Sequence, residues 1–160
     1  MIAMNNDIIQ KFYTAFQRKD WKTMQSCYHD NATFHDPVFE DLDSKSVKAM
    51  WRMLLESGGQ LDIVFDNVHV TGERGICHWE AKYVFSGSGR QVHNVIEASF
   101  VFSEGKILQH TDSFDLWKWS GMALGTTGKL LGWSGFMKRK IRSKAQKRLF
   151  NFKKVHAENA

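Results

Sequence analysis

Apolar residues recur at helical spacing over the first third of the chain and alternate with polar ones after Gly59. Ile8, Ile9, Phe12, Tyr13, Ala15 and Phe16 predict a helix opened by Asn5 or Asn6 and closed near Arg18 and Lys19. Asp20 is placed to cap a second, shorter helix carrying Trp21, Met24, Cys27 and Tyr28. His29, Asp30 and Asn31 stop it before an extended stretch from Ala32 to His35, and Pro37 disfavours helix at Asp36. A third helix is expected from Asp43 or Ser44 through Glu56, with Val47, Met50, Trp51, Leu54 and Leu55 on its apolar face and Gly58 and Gly59 ending it.

The alternating runs Gln60 to Thr71, Gly75 to Ser86, Arg90 to Ser103 and Lys106 to Trp119 are divided by short turn-forming segments. They predict four sequential strands in an antiparallel meander. Helices followed by strands make the chain α+β and argue against a dinucleotide-binding sheet. A glycine-rich stretch, Gly121 to Gly135, leads to a basic helix from about Phe136 to Lys154, whose Met137, Ile141, Ala145, Leu149 and Phe152 form one stripe. Residues 1–120 thus read as an α+β unit, and 121–160 as an appendage that docks on the same domain or contacts a second copy.

A length of 160 residues with 42% hydrophobic content provides one packed core. Cys27 and Cys77 fit buried free thiols in a reducing compartment. Neither a signal-peptide pattern nor a run of about 18 apolar residues is present, so a soluble cytoplasmic protein is expected. The net charge of +5 is uneven: from Lys129 onward there are ten Lys and Arg against one acid, Glu158, leaving the rest at −4. An acidic body argues against a fold-wide nucleic-acid surface, while the cationic helix suits docking or contact with an anionic membrane.

The order of elements, together with Asn31-Ala32-Thr33-Phe34-His35-Asp36-Pro37-Val38, resembles the nuclear-transport-factor-2-like superfamily, which includes ketosteroid isomerases, SnoaL-like polyketide cyclases and limonene epoxide hydrolase. The resemblance spans about Asn5 to Trp119. It implies a cone of N-terminal helices packed on a curved sheet, with Asp36 at the position of the isomerases' general base. It also implies that the isomerases' two oxyanion donors, a Tyr and a protonated Asp, are replaced by Phe12 and Ala98. Such donors carry ~10²–10³ in rate each, so ordinary ketosteroid isomerisation is rejected.

Strand parity puts Leu108, His110, Asp112 and Phe114 on one face. If that face lines the cone, as the resemblance implies, Trp79, Ala81, Tyr83 and Phe85 join it, with Asn94, Ile96, Ala98 and Phe100. The expected site is an acid-lined apolar pocket, with Asp36, His110 and Asp112 as proton-transfer residues and Phe12, Trp51, Trp79, Tyr83, Asn94, Ala98, Phe100 and Phe114 around a hydrophobic ligand. A carboxylate among such walls is driven toward a higher pKa. Plainer readings compete: Asp36 before Pro37 is a good turn former, and His110 with Asp112 is a satisfactory structural pair. No His, Cys, Asp or Glu spacing is diagnostic of a metal, and no cofactor motif occurs. The reading is a protein that binds a hydrophobic small molecule, with no nucleic-acid partner expected from its acidic body and a homodimer expected, either an isomerase, cyclase or hydrolase or a non-catalytic binding module.

Overall fold

The computed structural model describes residues 2–158. Helices α1 (Ile2–Gln17) and α2 (Trp21–Ser26) lead into strand β1 (Tyr28–His35) and a short strand β2 (Leu42–Asp43). Helix α3 (Ser44–Glu56) precedes strands β3 (Leu61–Thr71), β4 (Arg74–Phe85), β5 (Arg90–Ser103) and β6 (Lys106–Ser113). Helices α4 (Leu116–Leu124), α5 (Thr126–Leu131) and α6 (Gly135–Glu158) follow. The strands make one curved, open sheet in the order β2-β1-β6-β5-β4-β3. The β1–β6 pair is parallel and every other pair antiparallel, so the fold is α+β with helices packed on a mostly antiparallel sheet.

Local chemistry sets several boundaries where the sequence pattern puts them. The Asp20 side chain accepts from the Thr23 N–H, and Asp43 accepts from that of Ser46, each satisfying a donor that the first helical turn leaves open. Gly58 and Gly59 take φ of 76° and 92° just beyond α3, a region costly for residues with a Cβ.

Three local expectations are corrected. Asn5 does not open α1 but lies within it, its Nδ2 donating to the Gly72 carbonyl at 3.0 Å. Tyr28 is not the end of α2 but the first residue of β1, which starts four residues before the predicted extended stretch. The last strand stops at Ser113, because Asp115 accepts from the Lys118 N–H and caps α4; Trp117 and Trp119 are therefore helical. The glycine-rich stretch holds the end of α4 and all of α5.

Most of the apolar faces of α1, α3 and the inner sheet form one large core. A second, smaller cluster joins Val92 of β5 to Leu116, Trp119 and Ala123 of α4 and Met137 and Ile141 of α6. Helix α6 thus begins on the second cluster and ends on the first, where Leu149 is buried and Ala145 and Phe152 pack alongside. Lys153 Nζ donates to Ser46 Oγ at 2.7 Å and ties the far end of α6 to α3.

Close packing of α4 on α5 depends on a missing side chain. A Cβ added at Gly128 would stand 1.8 Å from the Ser120 carbonyl oxygen. Gly128→Ala is therefore expected to destabilise the fold by about 1–3 kcal/mol through overpacking, measured as a shift in urea midpoint. Gly121→Ala places its added carbon 3.1 Å from the flexible Lys129 side chain and should cost clearly less; equal costs would contradict this account.

Candidate active site

Five side chains form a continuous hydrogen-bonded string through the core. Trp51 Nε1 donates to the Tyr28 hydroxyl at 2.9 Å, and that hydroxyl lies 2.7 Å from His110 Nδ1. His110 Nε2 is 2.9 Å from Asp112 Oδ1, which also accepts from Trp79 Nε1 at 3.3 Å. An indole nitrogen can only donate. The Asp112 carboxylate can only accept, so a neutral imidazole carries its proton on Nε2 and leaves Nδ1 to accept the Tyr28 hydroxyl proton, while the tyrosine oxygen accepts from Trp51. Every polar atom named then has a partner of the right kind, as buried polar groups require.

The string is wrapped in aromatic rings. Around His110, ring centroids lie at 4.5 Å for Phe100, 5.0 Å for Phe34 and 5.6 Å for Phe12, while Tyr28 and Trp51 stack at 6.1 and 6.2 Å. The side chains of His110 and Asp112 are only 0% and 3% exposed. The inner face expected to bound an open pocket is therefore packed with its own rings: Phe12, Trp51, Trp79 and Phe100 are core residues around the string. Ala98 is buried opposite Asp112 in the β5–β6 register.

Leu108 corrects the predicted parity. Val101 pairs with Gln109 and Phe102 with Ile107, so Leu108 is the extra residue of a bulge. Ile107 takes the buried position and Leu108 is half-exposed, while His110 and Asp112 beyond the bulge keep the inward face.

Asp36 follows β1 and is half-buried. The parallel register pairs Phe34 with His110 and His35 with Thr111, which brings Asp36 level with Asp112. Its Oδ1 accepts the N–H groups of Val38, at 2.7 Å, and Phe39, and its own N–H donates to the Phe39 carbonyl at 2.9 Å. The turn-forming reading of Asp36 is thus correct, and it does not exclude chemistry. Burial raises the Asp36 pKa to about 7, helped by the negative charge of Asp112 and opposed by the two backbone donors and Arg142.

Asp36 marks a seam between the two apolar clusters, since Val38, Tyr83 and Phe114 pack against both. The Tyr83 hydroxyl accepts from Trp119 Nε1 at 2.8 Å, joining β4 to α4, and the Asp36 charge is among the influences that raise the Tyr83 pKa. Arg142 of α6 closes the other side, with Nε donating to the Pro37 carbonyl at 2.9 Å and a terminal nitrogen 3.3 Å from Glu40 Oε1. Asn94 is buried on the inner face of β5. The structure thus groups Asp36 with Asp112, Tyr83 and Phe114 at the seam, and His110 with Phe12, Trp51 and Phe100 behind it. Among the described residues no group of three or more His, Cys, Asp or Glu side chains could hold a metal ion.

The sequence model for the SnoaL-like domain matches residues 9–110, nearly two thirds of the chain. The protein belongs to the SnoaL-like domain family. This membership confirms the superfamily suggested by the stretch ending in Asp36-Pro37-Val38. The fold is similar to that of an LEH-like epoxide hydrolase from M. tuberculosis, at 14% identity and a TM-score of 0.62, covering 81% of this chain and 97% of that one. It is also similar to TsrD from Streptomyces laurentii, at 21% identity and a TM-score of 0.64, covering 77% and 96%. An NTF2-like protein of unknown function from Cytophaga hutchinsonii shares 14% identity at a TM-score of 0.57, over 69% and 89%. No curated protein matches.

Sequence reasoning missed Tyr28, Trp119 and Arg142. Tyr28 was not legible, because β1 is irregular between Tyr28 and Thr33 and Asp30, two residues on, is exposed, so alternation from Asp36 does not carry to it. Arg142 carries no local signal, because it meets Pro37 only through the docking of α6.

Tyr28→Phe removes the acceptor of Trp51 and the donor to His110. Two buried polar groups left unpaired at ~1–3 kcal/mol each should lower stability measurably in urea denaturation; a change within ~0.5 kcal/mol would refute the string as drawn. The raised Asp36 pKa has a definite sign: the folded state holds this proton more tightly than the unfolded chain, so the group's stabilising contribution is present below about pH 4 and lost as pH rises through about 7. Asp36→Asn, which can still accept the turn hydrogen bonds, should gain stability relative to wild type at about pH 8 and lose that advantage near pH 4. Parallel denaturation curves at both pH values provide the check.

Proposed function

We propose that the protein binds a hydrophobic small molecule at the seam between the two apolar clusters and transfers a proton on it through Asp36, without a cofactor. The observation supporting this is a half-buried carboxyl whose pKa of about 7 lets it take and give a proton near neutrality. In this reading Asp112 is a positioning residue: His110 and Trp79 hold it, and its charge makes Asp36 more basic. His110 acts through Asp112, whose carboxylate sets the His110 tautomer, and Tyr28 donates to the remaining ring nitrogen. Tyr83 and Phe114 supply the walls. Isomerisation, cyclisation and epoxide opening all need such a proton transfer, and a structural relative named as an epoxide hydrolase is consistent with that class.

A second reading, binding without chemistry, is favoured by Phe12 and Ala98. Both are buried and apolar at the positions where the family resemblance puts oxyanion donors.

The two readings separate experimentally. Solvent extraction of the purified protein and mass spectrometry would identify a retained compound, and deuterium incorporation into that compound would report proton transfer. Wild type should catalyse exchange, and Asp36→Asn should lower its rate by ~10²–10⁴ with binding retained. Asp112→Asn should move the pH midpoint of the rate downward, because a charge that raises the Asp36 pKa is gone. A retained compound that never exchanges establishes the binding reading, and an unchanged rate in Asp36→Asn removes Asp36 from the chemistry.

A further inference from the structure

We propose that the corner formed by α5, the start of α6 and the adjoining side of α4 docks on an anionic membrane surface. Within seven residues, four large apolar side chains stand in solvent: Leu130, Leu131, Trp133 and Phe136 are 66%, 45%, 62% and 64% exposed. Trp117 of α4, itself 51% exposed, donates its indole N–H to the Lys129 carbonyl at 3.0 Å and so sits against α5. Trp133 donates to the Leu130 carbonyl at 2.9 Å, which satisfies its polar atom while its ring stays outside. None of these side chains belongs to either apolar cluster, because α6 packs there through Met137, Ile141 and Leu149 instead. Single exposed apolar residues are ordinary, whereas a contiguous group of this size marks a contact surface.

Charge selects the occupant. From Leu116 to Ala157 the chain has eleven Lys and Arg and no Asp or Glu. Among the described residues only Arg142 of the eleven meets a carboxylate, that of Glu40. In sequence, Lys118 follows Trp117, Lys129 precedes Leu130, and Lys138, Arg139 and Lys140 follow Phe136, while the neighbouring Asp115 carboxylate caps α4. A second copy docking through the same face would set cations against cations, which disfavours self-association here. Nucleic acid would answer the charge but would leave Leu130 and Leu131 without apolar partners. A layer of anionic headgroups over acyl chains answers both, with Trp and Phe at headgroup depth and Lys and Arg at the phosphates. The contact is peripheral, since no helix among the described residues is long and apolar enough to cross a membrane.

Sedimentation of the full chain with pure phosphatidylcholine vesicles, and with vesicles containing roughly 30% phosphatidylserine, tests the proposal. Binding is expected only to the second and is lost in high salt. Brominated phosphatidylcholine in the phosphatidylserine vesicles should quench part of the tryptophan emission, a readout on the unaltered protein. The double variant Trp133→Ser, Phe136→Ser changes solvent-exposed positions, so its circular dichroism should be unchanged while vesicle affinity falls by about tenfold or more. Failure of the wild type to bind phosphatidylserine vesicles, or full binding by the folded double variant, overturns the proposal. A wild-type dimer that becomes monomeric in the double variant assigns the corner to a second copy. Tighter binding to a fluorescent oligonucleotide than to vesicles, unaffected by the double variant, assigns it to nucleic acid.

Discussion

An imidazole enclosed by aromatic rings must have both nitrogens paired, and the architecture around His110 follows from that requirement. Leaving either nitrogen unpaired in such surroundings would cost about as much as a good core contact supplies. The partners come from separate elements: Tyr28 begins β1, Trp51 belongs to α3, and Trp79 and Asp112 lie on β4 and β6. The string closes only when all four elements come together. The polar atoms therefore fix which strands and helices meet, while the surrounding rings supply most of the buried area.

The same packing determines which ionisable side chains a ligand could reach. His110 and Asp112 are sealed from solvent, and a substrate reaching them directly would have to displace the aromatic shell. Asp36 lies one strand over at the same level, where α4 and α6 meet the cone across Val38, Tyr83 and Phe114. The family match ends at residue 110, so the helices that roof this seam lie outside the matched segment.

Much of the cone could be read from spacing. Capping by Asp20 and Asp43 and the β5 limits followed from local chemistry that the tertiary structure leaves intact. Asp36 was legible because its surrounding stretch is distinctive. Parity placed His110 and Asp112 correctly only because they lie beyond the Leu108 bulge; the same count misplaced Leu108, and nothing in an alternating pattern marks an extra residue. The filled interior was also invisible, because alternation reports which way side chains point and not whether the rings from opposite walls meet. Arg142 and Trp119 reach the seam through the docking of α6 and the early end of β6, both consequences of long-range packing.

The turn at Asp36 bears on stereochemistry. One of its carboxylate oxygens accepts the N–H groups of Val38 and Phe39, so the proton transfer proposed above would fall to the other. A proton delivered from a single oxygen, held rigidly by a Pro37-stiffened turn, arrives along one trajectory. In the proposed proton transfer, the handedness of a new stereocentre would be set by which face of the ligand the surrounding walls turn toward that one fixed oxygen.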